Sequence, residues 1–152
     1  MYDFVDYVDC SRAQQLEILS LRNREEIRVW MTHPEPISEE SHFRFVERLK
    51  GDGDLLYYAV YRDGMLVGTY NLTREADGVW ERGIIAVPST QGRGETARWE
   101  RQMLARLPER GIKALSAKVK QDNLRSVRYH EKLGFREQSR DGEYIYYLLR
   151  LS

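Results

Sequence analysis

The chain has 152 residues, and its 24 Lys and Arg residues balance its 24 Asp and Glu residues, so the formal net charge at pH 7 is zero. This balance gives no chain-wide positive field, and we expect no nucleic-acid partner. The single cysteine, Cys10, excludes an intramolecular disulfide and a cysteine-based metal cluster. A composition that is 41% hydrophobic suits the core of one domain, which we expect over residues 1–152.

The start of the chain and its apolar runs predict a cytoplasmic protein. The opening stretch MYDFVDYVD lacks the basic region and the long apolar run of a signal peptide. No segment approaches the roughly 20 apolar residues that a membrane span needs, so we expect no membrane partner. The histidines His33, His42 and His130 are few and scattered, so we expect no metal site.

The first part of the chain predicts a short strand followed by helices. The stretch YDFVDYV alternates as a strand does, and Ser11 stands where an N-cap would begin the helix AQQLEILSL. Asn23 resembles a second helix start that leads into EEIRVWM, and Pro34 and Pro36 would end that helix. Ser38 is predicted to cap a further helix that ends at Gly51.

The middle of the chain changes to the period of strands. The segments LLYYAVYR and MLVGTYNLT, joined by Asp63-Gly64, predict a hairpin. The segment VWERGIIAV predicts a third strand that Pro88 stops. The stretch QGRGET then opens a helix that we expect to run to about Leu107, and KALSAKV predicts the next strand.

The last part of the chain predicts a helix and a closing hairpin. The helix is expected from Asn123 to Leu133, with Gly134 as its C-terminal glycine. The segments FREQS and EYIYYLLRL form the hairpin around Asp141-Gly142. The elements together predict one α/β domain with a mixed sheet.

The stretch QGRGET, residues 91–96, lies between a predicted strand and a predicted helix. Helix N-termini carry unpaired N–H groups and a positive dipole end, and glycines let a backbone approach a phosphate closely. Neither the Walker spacing nor a dinucleotide-binding βαβ unit is present. From these residues alone, a simple turn and a phosphate cradle both stay open.

Two motifs resemble those of the GCN5-related N-acetyltransferases. QGRGET is similar to their Q/R-x-x-G-x-G/A loop, and NLRSVRYHEKLGF is similar to their N-x-x-S/A-x-x-φ-Y/H-E-K-L-G-F helix. The order of elements matches over nearly the whole chain, although Thr96 stands at the final Gly/Ala position. The resemblance implies an α/β fold with a mixed, mostly antiparallel sheet of about seven strands, splayed open between strands four and five and flanked by about four helices.

The same resemblance implies acetyl-CoA as the co-substrate. Its pyrophosphate would lie on the loop amides, and its pantetheine would lie between the splayed strands. A backbone N–H between Ile84 and Val87 would polarise the thioester carbonyl. The expected cofactor-binding residues are Ile85, Ala86, Val87, Gln91, Gly92, Arg93, Gly94, Glu95, Thr96, Asn123 and Lys132.

An amine must lose a proton before it attacks a thioester, and the leaving thiolate benefits from a nearby acid. The resemblance implies that Glu81 is the base, unless it is only a solvated strand carboxylate beside Arg82. A chain of water molecules is the alternative acceptor of the proton. In the family, a tyrosine at the position of His130 acts as the general acid, so His130 is the expected acid here. Tyr129 is the alternative acid, and simple packing of His130 is the alternative role.

The stretches LRN, VWM, SHFRFVERLK and GET are similar to the N-acetyltransferases of pseudaminic acid biosynthesis, which acetylate the 4-amino group of a UDP-linked amino-dideoxy sugar. This likeness implies substrate-binding roles for Arg22, Trp30, Met31 and His42. Core packing of Trp30 and Met31 and a surface ion pair of Arg22 stay open. So do an amino acid, polyamine or protein α-amine as acceptor, a non-catalytic acyl-CoA-binding module, and a homodimer.

Overall fold

A computed structural model describes residues 1–151, and Ser152, the last residue of the expected domain, lies outside the described residues. The strands are β1 (Tyr2–Asp6), β2 (Leu55–Arg62), β3 (Met65–Ala76), β4 (Val79–Ala86), β5 (Ala114–Lys120), β6 (Arg136–Arg140) and β7 (Tyr144–Arg150). The helices are α1 (Arg12–Arg22), α2 (Glu25–Arg28), α3 (Glu39–Leu49), α4 (Glu95–Leu104) and α5 (Leu124–Leu133).

The strands form one mixed sheet in the order β1-β2-β3-β4-β5-β7-β6. Every neighbouring pair is antiparallel except β4 and β5, which run parallel. Residues Val79–Glu81 of β4 pair with Ala114–Ser116 of β5, and the recorded pairing between these strands ends there. Beyond that point β4 follows β3 while β5 follows β7, so the expected opening between strands four and five is confirmed.

The hairpin between β2 and β3 forms where the Asp-Gly pair predicted it. Asp63 has φ 51° and Gly64 has φ 79°, the positive values that both central residues of a type I′ turn require. Asp63 tolerates this conformation better than most side chains do, and glycine adopts it freely. The turn places Arg62 of β2 opposite Met65 of β3 and so starts the antiparallel pairing of these two strands.

The predicted caps are confirmed at two helix starts, Ser11 and Ser38, and at one helix end, Gly134. Asn123 was expected as the first residue of its helix and is instead the cap that precedes it. Ser11 begins α1 with a capping box, in which Gln14 returns the hydrogen bond. Ser38 accepts a backbone hydrogen bond at the start of α3, and Asn123 does the same for α5. Gly134 ends α5 in the left-handed region, where glycine is favoured.

The sequence predicted that Asn23 begins a second helix, and this prediction is wrong. Asn23 ends α1, and its side chain exchanges two hydrogen bonds with the backbone of Ile37, at 2.7 and 2.8 Å. The short helix α2 begins after Arg24 and ends at Arg28 rather than continuing to Met31. The side-chain amide of Asn23 therefore fixes the loop between α2 and α3 instead of capping a helix.

Two other expected bounds were too long. The helix after QGRGET ends at Leu104 rather than near Leu107, because the next backbone bonds close three-residue turns, as from Leu107 N–H to the Leu104 carbonyl. The first strand ends at Asp6, since Tyr7–Asp9 form a 3₁₀ turn. Among the helices of residues 1–151, none combines the length and apolar character that a bilayer crossing requires.

The sheet carries a hydrophobic core on each face. On one face of the sheet, α4 and α5 form a first cluster with the strands, and Trp99 of α4 is fully buried in it. On the other face, α1–α3 cover a second cluster. Along β4, Ile84 contacts the first cluster and Ile85 contacts the second. Successive side chains of a strand point to opposite faces, so Arg82 faces α4 and α5 while Glu81 faces the side of α1–α3.

Candidate active site

The loop before α4 adopts a backbone that needs its two glycines. Gly92 has φ 81° and Gly94 has φ 76°, and Gly94 immediately precedes the first residue of α4. A Cβ at Gly92 would meet no atom within 4 Å, and one at Gly94 would meet only Arg98 Nη1, at 3.8 Å. The loop thus leaves open space in front of the first N–H groups of α4, which is the geometry of an anion site.

Gln91 connects this loop to β4 and to α5. Its Nε2 donates to the Ala86 carbonyl at 3.2 Å, and its Oε1 accepts from Arg125 Nη1. Arg125 lies in the first turn of α5, and no local pattern predicted its role, because its contact with Gln91 spans 34 residues. Arg93 of the loop and Lys132 of α5 are exposed.

The edge of β4 that faces the opening carries free backbone groups at alternate residues. Val87 N–H donates to the Val67 carbonyl of β3 at 2.9 Å. Hydrogen-bonding groups alternate along an antiparallel strand, so the backbone N–H and C=O of Ile85 point toward β3. Those of Ile84 and Ala86 point toward the opening. The Ala86 carbonyl, which accepts from Gln91, points the same way. The expected polarising N–H is therefore narrowed to Ile84 or Ala86, and Val87 N–H is already used.

Glu81 lies at the point where the sheet begins to open. Glu81 forms the last residue pair of the parallel pairing between β4 and β5, opposite Ser116. The side chain is half-buried and faces the side of α1–α3, where Tyr57 also lies. Burial and then the charge of Glu81 raise the pKa of Tyr57. The Glu81 carboxylate thus lies near the Tyr57 ring, at the point where the opening between β4 and β5 begins. This is the placement expected of a base.

His130 is buried, with 3% of its surface exposed, and both of its ring nitrogens are engaged. Nδ1–H donates to the Ser126 carbonyl at 2.7 Å, and Nε2 accepts from Arg82 Nη1 at 2.5 Å. The ring also stacks on Tyr147 at 5.6 Å. Burial and then the Arg82 charge lower the pKa of His130 to about 4. These contacts leave no ring N–H for a leaving sulfur, so the geometry favours a positioning role, and the acid role stays a prediction.

A buried network that the sequence did not predict surrounds His130. Arg82 of β4 donates to both carboxylate oxygens of Glu100 of α4, with Nε–Oε2 at 2.7 Å and Nη2–Oε1 at 2.5 Å. Tyr70 and Tyr129 donate their hydroxyls to the same carboxylate. Burial raises the pKa of Tyr129, as does the Glu100 charge. The alternative acid is therefore also engaged, and the network joins β3, β4, α4 and α5 behind the cleft.

On the other face, two arginines approach the loop between α2 and α3. Arg22 Nη2 donates to the His33 carbonyl at 2.8 Å, and Arg28 Nη1 donates to the Pro34 carbonyl at 3.2 Å. Arg22 Nη1 and Arg28 Nε are buried, and within residues 1–151 neither has a hydrogen-bond partner. Burial and then the Arg28 charge lower the pKa of Arg22. Arg28 was not predicted, because only the fold brings it beside Arg22.

The remaining residues expected at the acceptor site differ in their surroundings. Trp30 is 44% exposed, and Met31 is half-buried against the core beneath α1–α3. His42 is only 6% exposed, and its Nε2–H donates a 2.8 Å hydrogen bond to Gln15 Oε1. Trp30 is therefore available to a ligand, whereas His42 is held within the helix layer. Its substrate-binding role stays a prediction.

No group of three or more His, Cys, Asp or Glu side chains within residues 1–151 is arranged to hold a metal ion. Glu95 and Asn123 are the other expected cofactor-binding residues with defined contacts. Asn123 caps α5 through its side chain. The Glu95 carboxylate turns away from the loop toward β1 and β2, so only its backbone N–H faces the anion site.

Known proteins resemble this chain in sequence and in fold. Residues 16–135 match the model of the acetyltransferase (GNAT) family. The acetyltransferase PseH of Campylobacter jejuni subsp. jejuni serotype O:2 is 25% identical over 141 residues, which cover 86% of this chain and 89% of PseH.

Solved structures show the same fold. The crystal structure of Campylobacter jejuni N-acetyltransferase PseH in complex with acetyl coenzyme A matches with a TM-score of 0.78 at 20% identity and covers all of both chains. The spermidine N-acetyltransferase of Vibrio cholerae in complex with CoA and spermine matches with a TM-score of 0.83 at 17% identity. It covers 99% of this chain and 95% of that enzyme.

Proposed function

The chain belongs to the acetyltransferase (GNAT) family, and on that basis we propose that it transfers the acetyl group of acetyl-CoA to the 4-amino group of a UDP-linked amino-dideoxy sugar. The N-acetyltransferase activity follows from the family. The donor is supported by the PseH crystal structure, which contains acetyl coenzyme A. The acceptor is supported by the arginines on the side of α1–α3.

The donor would bind across the opening between β4 and β5. Its diphosphate would lie against the N-terminus of α4, where the backbone of Gly92 and Gly94 leaves the first N–H groups open. Arg125 would add a positive charge at the same loop. The pantetheine arm would follow the free edge of β4, and N–H groups of Ile84 or Ala86 would polarise the thioester carbonyl as charge develops on its oxygen.

Glu81 is the proposed base. An ammonium with a pKa near 10 is almost entirely protonated at pH 7, so transfer needs a group that accepts its proton. Glu81 lies at the apex of the opening and faces the side on which the acceptor would bind. The neutral amine would then attack the thioester carbon, and the tetrahedral intermediate would expel CoA as a thiolate. The second proton lost from the nitrogen as the amide forms would pass to the departing thiolate or to solvent.

The leaving thiolate needs little help from a side chain. A free thiol has a pKa of about 8.5, so the thiolate is only moderately basic and can leave before it is protonated. His130 and Tyr129 are both committed to hydrogen bonds behind the cleft. We therefore assign them to positioning α5 and its N-terminal turn against β4.

The single observation that carries the acceptor proposal is the pair of unpartnered guanidinium N–H groups on Arg22 and Arg28. Leaving a buried donor unpaired costs about 1–3 kcal/mol, so a ligand oxygen would be favoured there. Guanidinium groups suit phosphate oxygens in particular. The exposed Trp30 nearby could stack on a uracil ring. A polyamine acceptor, in contrast, would be repelled by two adjacent cations.

The test compares acceptors by thiol release from acetyl-CoA. The panel contains a UDP-linked 4-amino-dideoxy sugar, free amino acids, spermidine and a peptide with a free α-amine. We expect the nucleotide sugar to have the highest kcat/KM, by at least about tenfold, which corresponds to ~1.4 kcal/mol. Preference for the peptide or for spermidine would contradict the proposal, and binding of acetyl-CoA without thiol release from any acceptor would indicate a binding module.

The same assay tests the arginines. Arg28→Ala should raise the KM for the nucleotide sugar about tenfold and leave the KM for acetyl-CoA unchanged, because Arg28 lies on the face opposite α4 and α5. Arg48→Ala, at an exposed position of α3, is the matched control. A cytoplasmic location and a homodimer stay predictions, which cell fractionation and size-exclusion chromatography can test.

A further inference from the structure

Glu95 is the first residue of α4, yet its carboxylate faces away from the loop that precedes the helix. Its side chain is 6% exposed, and Oε2 accepts a 3.0 Å hydrogen bond from the Tyr2 hydroxyl. The same oxygen accepts from Arg62 Nη1. The Glu95 carboxylate, one residue after Gly94, thus lies against β1 and β2 and not beside the anion site.

The two groups that hold this carboxylate are fixed relative to each other by the sheet. Tyr2 of β1 and Arg62 of β2 are direct partners in the antiparallel register. They lie 93 and 33 residues from Glu95 in the sequence, so the contact connects the edge of the sheet to the start of α4. A buried carboxylate is tolerated only when it is paired and hydrogen-bonded, and these two residues meet both requirements.

The position of the Glu95 charge has a direct consequence for an anion at the helix start. A carboxylate in the first turn is itself attracted to the positive end of the helix. If it were released, it would compete with a diphosphate for the same N–H groups and would repel the diphosphate at short range. Pairing with Arg62 removes both effects and leaves the N–H groups of α4 available.

We propose that Arg62 and Tyr2 are positioning residues for the donor site, because they hold the Glu95 carboxylate away from the diphosphate of acetyl-CoA. This inference rests on the proposed function. It assigns cofactor affinity to two residues of β1 and β2 that lie outside the loop and outside the opening between β4 and β5.

The test is a charge-rescue experiment that measures the Kd of CoA by calorimetry. Arg62→Met should weaken CoA binding about tenfold, since it releases the Glu95 carboxylate. Arg62→Met combined with Glu95→Gln should recover most of that loss, because the neutral amide does not repel a diphosphate. Tyr2→Phe, which changes no charge, should weaken binding about threefold. Arg140→Met, which removes an arginine paired with Glu137 on β6, is the control and should bind as the wild type does.

The outcomes separate this inference from the proposed function. Wild-type protein that does not bind CoA would contradict the proposed function itself. Wild-type binding with unchanged affinity in both Arg62→Met and Tyr2→Phe would overturn only the positioning role. A double variant as weak as Arg62→Met would overturn it too, since the loss would not depend on the Glu95 charge. Circular dichroism of each variant checks that it is folded.

Discussion

Arg82 of β4 and Glu100 of α4 form an ion pair inside the protein, with Nη2 and Oε1 2.5 Å apart and side chains that are 1% and 0% exposed. Burial alone would raise the pKa of Glu100, but the charge of Arg82 and the hydrogen bonds from Arg82, Tyr70 and Tyr129 together outweigh burial, so the pKa is lowered. The pair therefore stays ionised and holds α4 against the strand that borders the cleft.

Removing one charge of this pair should strongly destabilise the fold. Glu100→Gln leaves the Arg82 charge buried without a counter-ion, which typically costs about 3–5 kcal/mol of unfolding free energy. Glu137→Gln, in a surface pair with Arg140, should cost far less, because water screens that pair. Urea denaturation measures both values. Equal, small losses in the two variants would show that the buried pair does not hold α4 in place.

The neutral state of His130 predicts a pH dependence of stability. The folded pKa, about 4, lies below the ordinary value of 6.5. Below pH 6.5 the unfolded chain therefore takes up a proton that the folded chain does not. The stability that the neutral ring contributes is complete above pH 6.5 and is lost as the pH falls toward 4.

His130→Gln removes this titration and keeps a side chain able to accept from Arg82. Between pH 6.5 and 5, wild type should lose roughly 2 kcal/mol more unfolding free energy than His130→Gln does. Denaturation at several pH values measures the difference, and the other titrating groups, including His42, are common to both proteins. Parallel pH profiles would contradict a buried, neutral His130.

The same variant tests the chemical role of His130. Because both ring nitrogens are engaged, we expect His130→Gln to keep kcat within about threefold of wild type. Loss of a general acid typically costs 10²–10⁴-fold in rate. A roughly 100-fold fall in kcat with unchanged acetyl-CoA affinity would instead support the acid role that the family resemblance implied. An equal fall in Tyr129→Phe alone would assign that role to Tyr129.

Glu81→Gln should lower kcat about 100-fold at pH 7, because the amine would lose the group that accepts its proton. The loss should shrink as the pH rises and more amine is deprotonated in solution. Initial rates from pH 7 to pH 9.5 measure this trend. Glu109→Gln, at an exposed position after α4, is the control. A loss that does not change with pH would argue against Glu81 as the base.

Local sequence signals predicted much of the fold. The Asp63-Gly64 turn and the caps at Ser11 and Ser38 were predicted correctly, because each depends on residues that are neighbours in the chain. Asn23 was misread, since its partner is the backbone of Ile37 across a loop. A side chain that could cap a helix can equally fix a loop, and only the tertiary structure decides between them.

A motif led to one part of the candidate site, whereas the parts where distant residues meet could not be predicted. The loop from Gln91 to Thr96 could be found from its glycines. The contacts between Arg82 and His130 and between Arg62 and Glu95 join residues 48 and 33 positions apart. Each arginine reads locally as an ordinary strand residue, so its charge partner could not be inferred. For the same reason the sequence suggested a free His130 where the structure has a hydrogen-bonded one.

The central claim is that the loop before α4 binds the diphosphate of acetyl-CoA, and calorimetry of Gly94→Val tests it most directly. Gly111→Val is a matched control, because Gly111 has φ 80°, close to the 76° of Gly94, and likewise faces open space. Both variants should carry similar backbone strain, but only Gly94→Val should weaken acetyl-CoA binding more than tenfold, a change of at least ~1.4 kcal/mol. Wild-type affinity in folded Gly94→Val, or an equal loss in both variants, would contradict the claim.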